Sequence, residues 1–290
     1  MKPPRFEYAA PASVAEAVAL LAKSGGGAKP ISGGQSLMPL LAFRLAAPEI
    51  LVDLKRIPGL DRIDIGPSGV TLGAKVRWVD IEKDKRLDTA HPLLAEAIKH
   101  VAHYQIRNRG TVGGSVAHAD PAAEMPGIAA ACDAEIVASG PKGERRIKAA
   151  DYFVGPLQTT LAADEIITAV HLPAWPQSTG NTRRRWGFLE FSRRKGDFAM
   201  AGVAVFYDAD GAGKATNSHI GVIGMGDKPC RLPKAEAALN GKTVEAATIE
   251  AVAKIASAEV DPSGDIHAGP EYRRALVGTL LERALKKASS

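Results

Sequence analysis

Cysteine is scarce in this sequence. Among 290 residues only Cys132 and Cys230 occur, in no C-x-x-C and beside no histidine cluster. That excludes a zinc ribbon, a disulfide framework and a four-cysteine iron–sulfur cluster held within the chain. Both thiols read as small buried apolar side chains. Aromatic residues make up only 5% and are scattered, which argues against a nucleic-acid groove, where rings interleave with basic charge. The longest nearly apolar run, "FAMAGVAVFY" at 198–207, is far short of the roughly 20 residues of a membrane-crossing helix. The start, "MKPPRFEYAAP", lacks the apolar stretch and cleavage pattern of a signal peptide, so a cytoplasmic setting is expected. Familiar nucleotide fingerprints are missing too. No G-x-G-x-x-G stands at the first strand–helix junction, and "NGKT" at 240–243 has no upstream glycine to complete a P-loop. No catalytic residue is assigned, because no nucleophile–base arrangement is visible. No metal site is expected either: His100 and His103 fall three apart on an expected helix without a third ligand.

What is present is ordinary globular composition, 46% apolar and 24% charged with a net charge of +5, in a chain long enough for two domains. Ser13 and Glu16 read as a capping box for a helix carrying Val14, Ala17, Val18 and Leu21 inward, ended by three glycines at 25–27. "EILVDL" at 49–54 reads as a strand, giving an α/β beginning. Two strands joined by a Pro-Ser-Gly turn follow at 59–76, then a helix over 91–103 and a hairpin around residues 141–143. A closing strand spans 164–173, and the polar stretch "PAWPQSTGNTRRR" marks a boundary near residue 176. Beyond it come three strand-like runs of a small antiparallel sheet and a helical end.

Two glycine pairs ask for a common explanation. "AKPISGGQSL" holds Gly33 and Gly34, and "RNRGTVGGSVAHADPAAE" holds Gly113 and Gly114, each followed by a serine. Adjacent glycines permit φ > 0 and close approach of another group, and consecutive amides in such a turn form a nest for an anion. The hydroxyls of Ser32, Ser36, Thr111 and Ser115 add further donors. Two such nests suit an extended diphosphate, so the inferred ligand is a dinucleotide or a nucleoside diphosphate.

"KPISGGQSL" and "IRNRGTVGGSVAHADPAAE" closely resemble the two flavin-binding segments of the FAD subunits of molybdenum hydroxylases, the medium subunits of carbon monoxide dehydrogenase and its relatives and the flavin region of xanthine dehydrogenase. "FLEFSRRKGDFAMAGVAV" and the helical end extend the resemblance over nearly the whole chain. It implies a vanillyl-alcohol-oxidase (PCMH) type fold of class α/β or α+β. Residues 1–176 would form an FAD-binding domain of two subdomains, about 1–56 and 57–176, and 177–290 a C-terminal α/β domain. It implies that Lys29, Ser32, Gly33, Gly34, Gln35, Ser36 and Leu37 form a first FAD loop, and Thr111, Val112, Gly113, Gly114 and Ser115 a second. Glu124 falls where xanthine dehydrogenase has an FAD-contacting aspartate, with Asp120 a nearby candidate; Ile167 matches an apolar contact position, and Phe198 follows "KGD" where relatives pack a side chain on the isoalloxazine. A lysine that contacts FAD in xanthine dehydrogenase aligns near Leu189, so that contact is absent here, as is the cysteine-rich insertion of relatives that reduce aromatic coenzyme A thioesters.

The expected role is therefore electron transfer. A small partner subunit with 2Fe–2S clusters would supply electrons and a large one would hold molybdenum–pterin, in a dimer of heterotrimers. Two other readings compete: a stand-alone flavin oxidoreductase, and a non-enzymatic adaptor or nucleic-acid binder using the basic runs at 183–185 and 193–195.

Overall fold

The computed structural model describes residues 2–176 and 182–289. Its first unit is a small parallel sheet. Strands β1 (Glu7–Ala9), β2 (Ala28–Ile31) and β3 (Ile50–Asp53) lie in the order β1-β3-β2. Parallel neighbours need a crossover, and helix α1 (Val14–Lys23) supplies the first one, burying Ala17, Val18 and Leu21 as the spacing requires. Ser13 Oγ accepts from Glu16 N at 3.1 Å, while the Glu16 carboxylate reaches one residue past the expected box partner, to Ala12 N at 2.8 Å. Gly25 and Gly26 then take positive φ and end the helix. Helix α2 (Leu37–Ala42) follows β2.

The second unit is antiparallel throughout. Strands β4 (Ile63–Gly66) and β5 (Gly69–Gly73) form the expected hairpin. Between β5 and β6 run six short helices: α3 (Trp78–Lys83), α4 (Leu87–Ala90), α5 (Pro92–Ala97), α6 (Tyr104–Arg107), α7 (Val112–His118) and α8 (Glu124–Ala131). The single helix expected over 91–103 is thus shorter. It tightens into a 3-10 turn at Ile98–His100, and Ala102 takes φ 41°, a left-handed conformation that no helix continues through. Strands β6 (Glu135–Gly140) and β7 (Gly143–Lys148) form the second hairpin, whose expected second arm bends into helix α9 (Ala149–Tyr152). A two-stranded ribbon, β8 (Phe153–Gly155) with β9 (Gln158–Thr159), precedes β10 (Ile166–Pro173). The sheet order is β4-β5-β10-β6-β7.

The third unit is a meander of β11 (Arg183–Phe191), β12 (Ala201–Ala209), β13 (Ala215–Ile223) and the two-residue β14 (Cys230–Arg231). Helices α10 (Pro233–Leu239), α11 (Ala246–Glu259) and α12 (Pro270–Ser289) cover one face. Side chains alternate across a strand, so Val203, Val205 and Tyr207 join the helices in one core. Phe188, Ala204 and Phe206 join Trp78, Leu94, Ile128 and Val170 of the second unit in another. The polar stretch expected to hold a domain boundary runs through 177–181, outside the described residues.

Candidate cofactor cleft

Ser32 and Thr111, one from each glycine segment, are 79 positions apart in sequence, yet they touch. Thr111 Oγ1 donates to Ser32 Oγ at 3.2 Å. A Cβ placed on Gly33 would stand 2.1 Å from the carbonyl oxygen of Arg109, so Gly33 is required by the approach of one segment to the other. Gly34 takes φ 73°, the left-handed conformation expected of a tight turn. Gln35 Nε2 donates to Gly33 O at 3.1 Å and closes the turn. The backbone amides of Gly33, Gly34, Gln35 and Ser36 find no partner among the described residues. They are the donors an anion could collect. Lys29 lies exposed on β2, and Leu37 opens α2, half-buried.

The second segment corrects the expectation of a matching nest. Its glycines lie in helix α7, with Thr111 as N-cap, and neither takes positive φ. Its amides are already engaged: Val112 N donates to Val76 O and Gly113 N to Ala74 O, both at 2.9 Å. Gly114 N donates to Thr111 Oγ1 at 3.3 Å and Ser115 N to Thr111 O at 3.0 Å. Gly113 is there for packing, because a Cβ would sit 2.6 Å from that of Ala74. Gly114 is exposed, and a Cβ on it would meet only Thr111 Oγ1, at 2.9 Å. The chain of donors Gly114 N–H to Thr111 O–H to Ser32 Oγ leaves the Ser32 hydroxyl proton for another acceptor.

The remaining expected residues are distributed unevenly. Ala119 at φ 53° ends α7, and Asp120 Oδ1 accepts from Ala122 N at 2.9 Å, shaping the connection to α8. Glu124 opens α8, half-buried. Burial, reinforced by Glu190 and Asp120 nearby, pushes its carboxyl up to about 8. Ile167 is 5% exposed within the core of the second unit. Phe198 is 68% exposed on the β11–β12 connection. That connection turns at Gly196 (φ 90°), against the His103 ring, and Arg273 holds its far end by donating to Met200 O at 2.7 Å.

Two residues escaped the sequence reading. Arg109 carries an exposed guanidinium with no ion pair among the described residues, and its carbonyl abuts Gly33. Glu190 lies on β11 with its side chain 6% exposed, and its Oε2 has no hydrogen-bond partner among the described residues. Alternation along "WGFLEF" was the available signal: Trp186, Phe188 and Glu190 share one face, while Leu189 packs with the C-terminal helices on the other.

The free amides of residues 33–36, the spare Ser32 hydroxyl proton and the unpaired cations Lys29 and Arg109 together fit an anionic ligand such as a diphosphate. Comparison with known proteins names it. Residues 4–175 match the FAD-binding domain of molybdopterin dehydrogenases, and residues 186–288 match the CO dehydrogenase flavoprotein C-terminal domain. The chain is 40% identical to the 6-hydroxypseudooxynicotine dehydrogenase complex subunit alpha of Paenarthrobacter nicotinovorans, over 99% of this chain and 96% of that one. It is 38% identical to the carbon monoxide dehydrogenase medium chain of Hydrogenophaga pseudoflava, over 99% and 98%. The solved carbon monoxide dehydrogenase of Hydrogenophaga pseudoflava superposes with a TM-score of 0.94 at 38% identity, covering 99% of this chain and 98% of that one. Quinoline 2-oxidoreductase from Pseudomonas putida 86 does so with 0.93 at 35%, covering 100% and 98%. This chain belongs to the family of FAD-binding medium subunits of molybdenum hydroxylases, and is the flavoprotein subunit of a multi-subunit oxidoreductase.

Proposed function

We propose that this subunit relays electrons from the 2Fe–2S clusters of a small partner subunit to an external acceptor, in a complex whose large subunit holds molybdenum–pterin. The observation that supports this most is the convergence of Ser32–Gly33 on Arg109–Thr111, which forms one cleft from two segments. In this reading the amides of residues 33–36, the Ser32 hydroxyl and the cations Lys29 and Arg109 hold the diphosphate of FAD. Ser36, Leu37 and residues 111–115 line its sugars. Asp120 and Glu124 meet polar groups of the ribityl chain or ring, Ile167 backs the cleft, and Phe198 lies against the isoalloxazine. FAD supplies the ability to take electrons singly and give them up in pairs. The protein's share is to bind and orient it and to fix the charge around it.

The same reading places the division between cofactor-binding and C-terminal domains at 176/177, with the first domain split near residue 56. The complex would be a cytoplasmic dimer of heterotrimers. No described helix is long and apolar enough to cross a membrane. Co-purification tests the assembly. The tagged chain, co-expressed with the genes beside its own, should bring down a large and a small subunit and be reduced by the organic substrate only within that complex. Reduction of the isolated chain by that substrate would overturn the proposal in favour of a stand-alone oxidoreductase.

A further inference from the structure

The basic run before Trp186 splits across β11. Arg184 points to the face shared with the second unit, where Asp208 pairs with it at 2.7 Å and its guanidinium lies over the rings of Trp175 and Phe206. Arg183 and Arg185 point to the other face, because side chains alternate along a strand. That face belongs to the C-terminal helices, and Tyr207, directly opposite Arg185, is part of their core. Two arginines turned toward the core side of a sheet call for a partner. Neither guanidinium has an ion pair or a hydrogen bond among the described residues, whereas that of Arg184 has both.

What they face is a cavity of about 470 Å³, lined also by Thr182, Tyr207 and Thr243. It exists because α12 ends early. The helix crosses β11 at Gly187, where a Cβ would stand 2.7 Å from Ala284 O, and only five residues of it remain beyond that point. Those cover about 7.5 Å, while β11 extends about 13 Å from Gly187 to Arg183. The β12–β13 turn at 210–213 and the segment 241–244 close the side. Val244 N donates to Gly213 O at 3.2 Å and Gly241 N to Ala215 O at 2.7 Å, which fixes that wall. Ser289, at the end of α12, completes the rim.

The cavity carries positive charge. Asp210 is the acidic residue in its lining, and its Oδ1 already accepts from Ala212 N at 2.9 Å and Lys214 N at 2.8 Å. The stretch before β11, residues 177–181, contains no acidic residue. Tyr207 adds a donor: burial raises its phenol above the ordinary value against the pull of Arg185, so it keeps its proton at neutral pH. Guanidinium forks match the paired oxygens of phosphates and carboxylates, and the volume is of the size usual for small-molecule sites. We propose that this cavity is a second ligand site, which takes a small molecule with two oxyanion groups, phosphate or carboxylate, between Arg183 and Arg185. It is distinct from the cofactor cleft. Arg185 lies about 20 Å along β11 from Phe191, the end from which the chain leads to Phe198.

Calorimetric titration of the full chain with inorganic pyrophosphate and with citrate tests this, with FAD in excess to fill the cofactor cleft. One saturable site is expected, for which the two probes compete, and the tighter of them tells phosphate from carboxylate as the natural group. The double variant Arg183→Gln/Arg185→Gln should weaken that binding at least about ten-fold, the worth of one hydrogen bond to a charged group. Arg185→Lys, which keeps the charge but loses the fork, should fall between. Arg183 is exposed, so Arg183→Gln alone should show a loss in the same direction even if the double variant does not fold. Lys142→Gln, at an exposed cation between β6 and β7, should leave binding unchanged, which separates a built site from general positive charge. The arginine variants mark the site whatever occupies the cleft, so failure of FAD to bind would touch the cofactor reading alone. Absence of a saturable site, as when the end of the chain beyond Ser289 fills the cavity, overturns the inference, and so does equal affinity in the double variant. Loss of the site in the assembled complex also overturns it and would make this surface a subunit contact.

Discussion

Gly33 and Gly114 look equivalent in the sequence and do different work. At Gly33 a methyl group would meet the rigid Arg109 carbonyl. Gly33→Ala should therefore drive the two segments apart, costing about 1–3 kcal/mol of stability together with FAD retention. At Gly114 a methyl group meets only Thr111 Oγ1, at 2.9 Å; that hydroxyl caps α7 and donates to Ser32, so crowding it offsets the about 1 kcal/mol by which a helix favours alanine. Gly114→Ala should therefore change the melting temperature of the apoprotein far less than Gly33→Ala does, while lowering bound flavin. Melting curves and flavin content of the two purified variants check the contrast. Glu124 gives a prediction with a definite sign. The folded chain keeps its proton up to about 8, whereas the unfolded chain releases it in the ordinary carboxylate range. Between those values the folded state binds more protons, so its stability falls as pH rises, by at most about 1.4 kcal/mol per unit, and levels off above about 8. Glu124→Gln should remove that component; urea unfolding of both proteins at pH 5.5 and 8 measures it.

At the scale of elements, α7 is the piece on which the cleft depends. It is short and carries two glycines near its start, so its own propensity is poor. Docking of Val112 and Gly113 onto Val76 and Ala74 holds it, together with the Thr111 cap. Thr111→Val keeps the shape, removes the cap and breaks the link to Ser32. It should cost about 1 kcal/mol and weaken FAD binding, and Thr111→Ser should restore both. Denaturant midpoints and FAD titrations on the pair of variants test this. The expectation of two like nests failed at this element for a simple reason: amides close to the start of a helix can be satisfied by a neighbouring strand end, and here they are.

Over the whole molecule, the third sheet couples the parts. One of its faces belongs to the C-terminal helices and the other to the core of the second unit. Phe188 is 2% exposed in that shared core. Phe188→Ala should cost about 3–5 kcal/mol and lower a single calorimetric transition of the apoprotein. A split into two transitions would mean that the cofactor-binding and C-terminal parts unfold independently. The same seam holds Glu190 of β11, buried beside His100 of the second unit.

The sequence by itself determined the family, because two segments with matching hydroxyls and glycines are specific where one would not be. It also determined α1, the hairpins β4–β5 and β6–β7, and the first three strands of the meander, since their capping residues, turns and apolar alternation are local signals. Only the tertiary structure decided which amides are free, what each glycine must accommodate and that Glu190 lies buried beside His100. Those are relations between residues far apart in the chain. A hydrogen bond such as Thr111 to Ser32, or a buried charge without a partner, exists only once distant segments have excluded water between them.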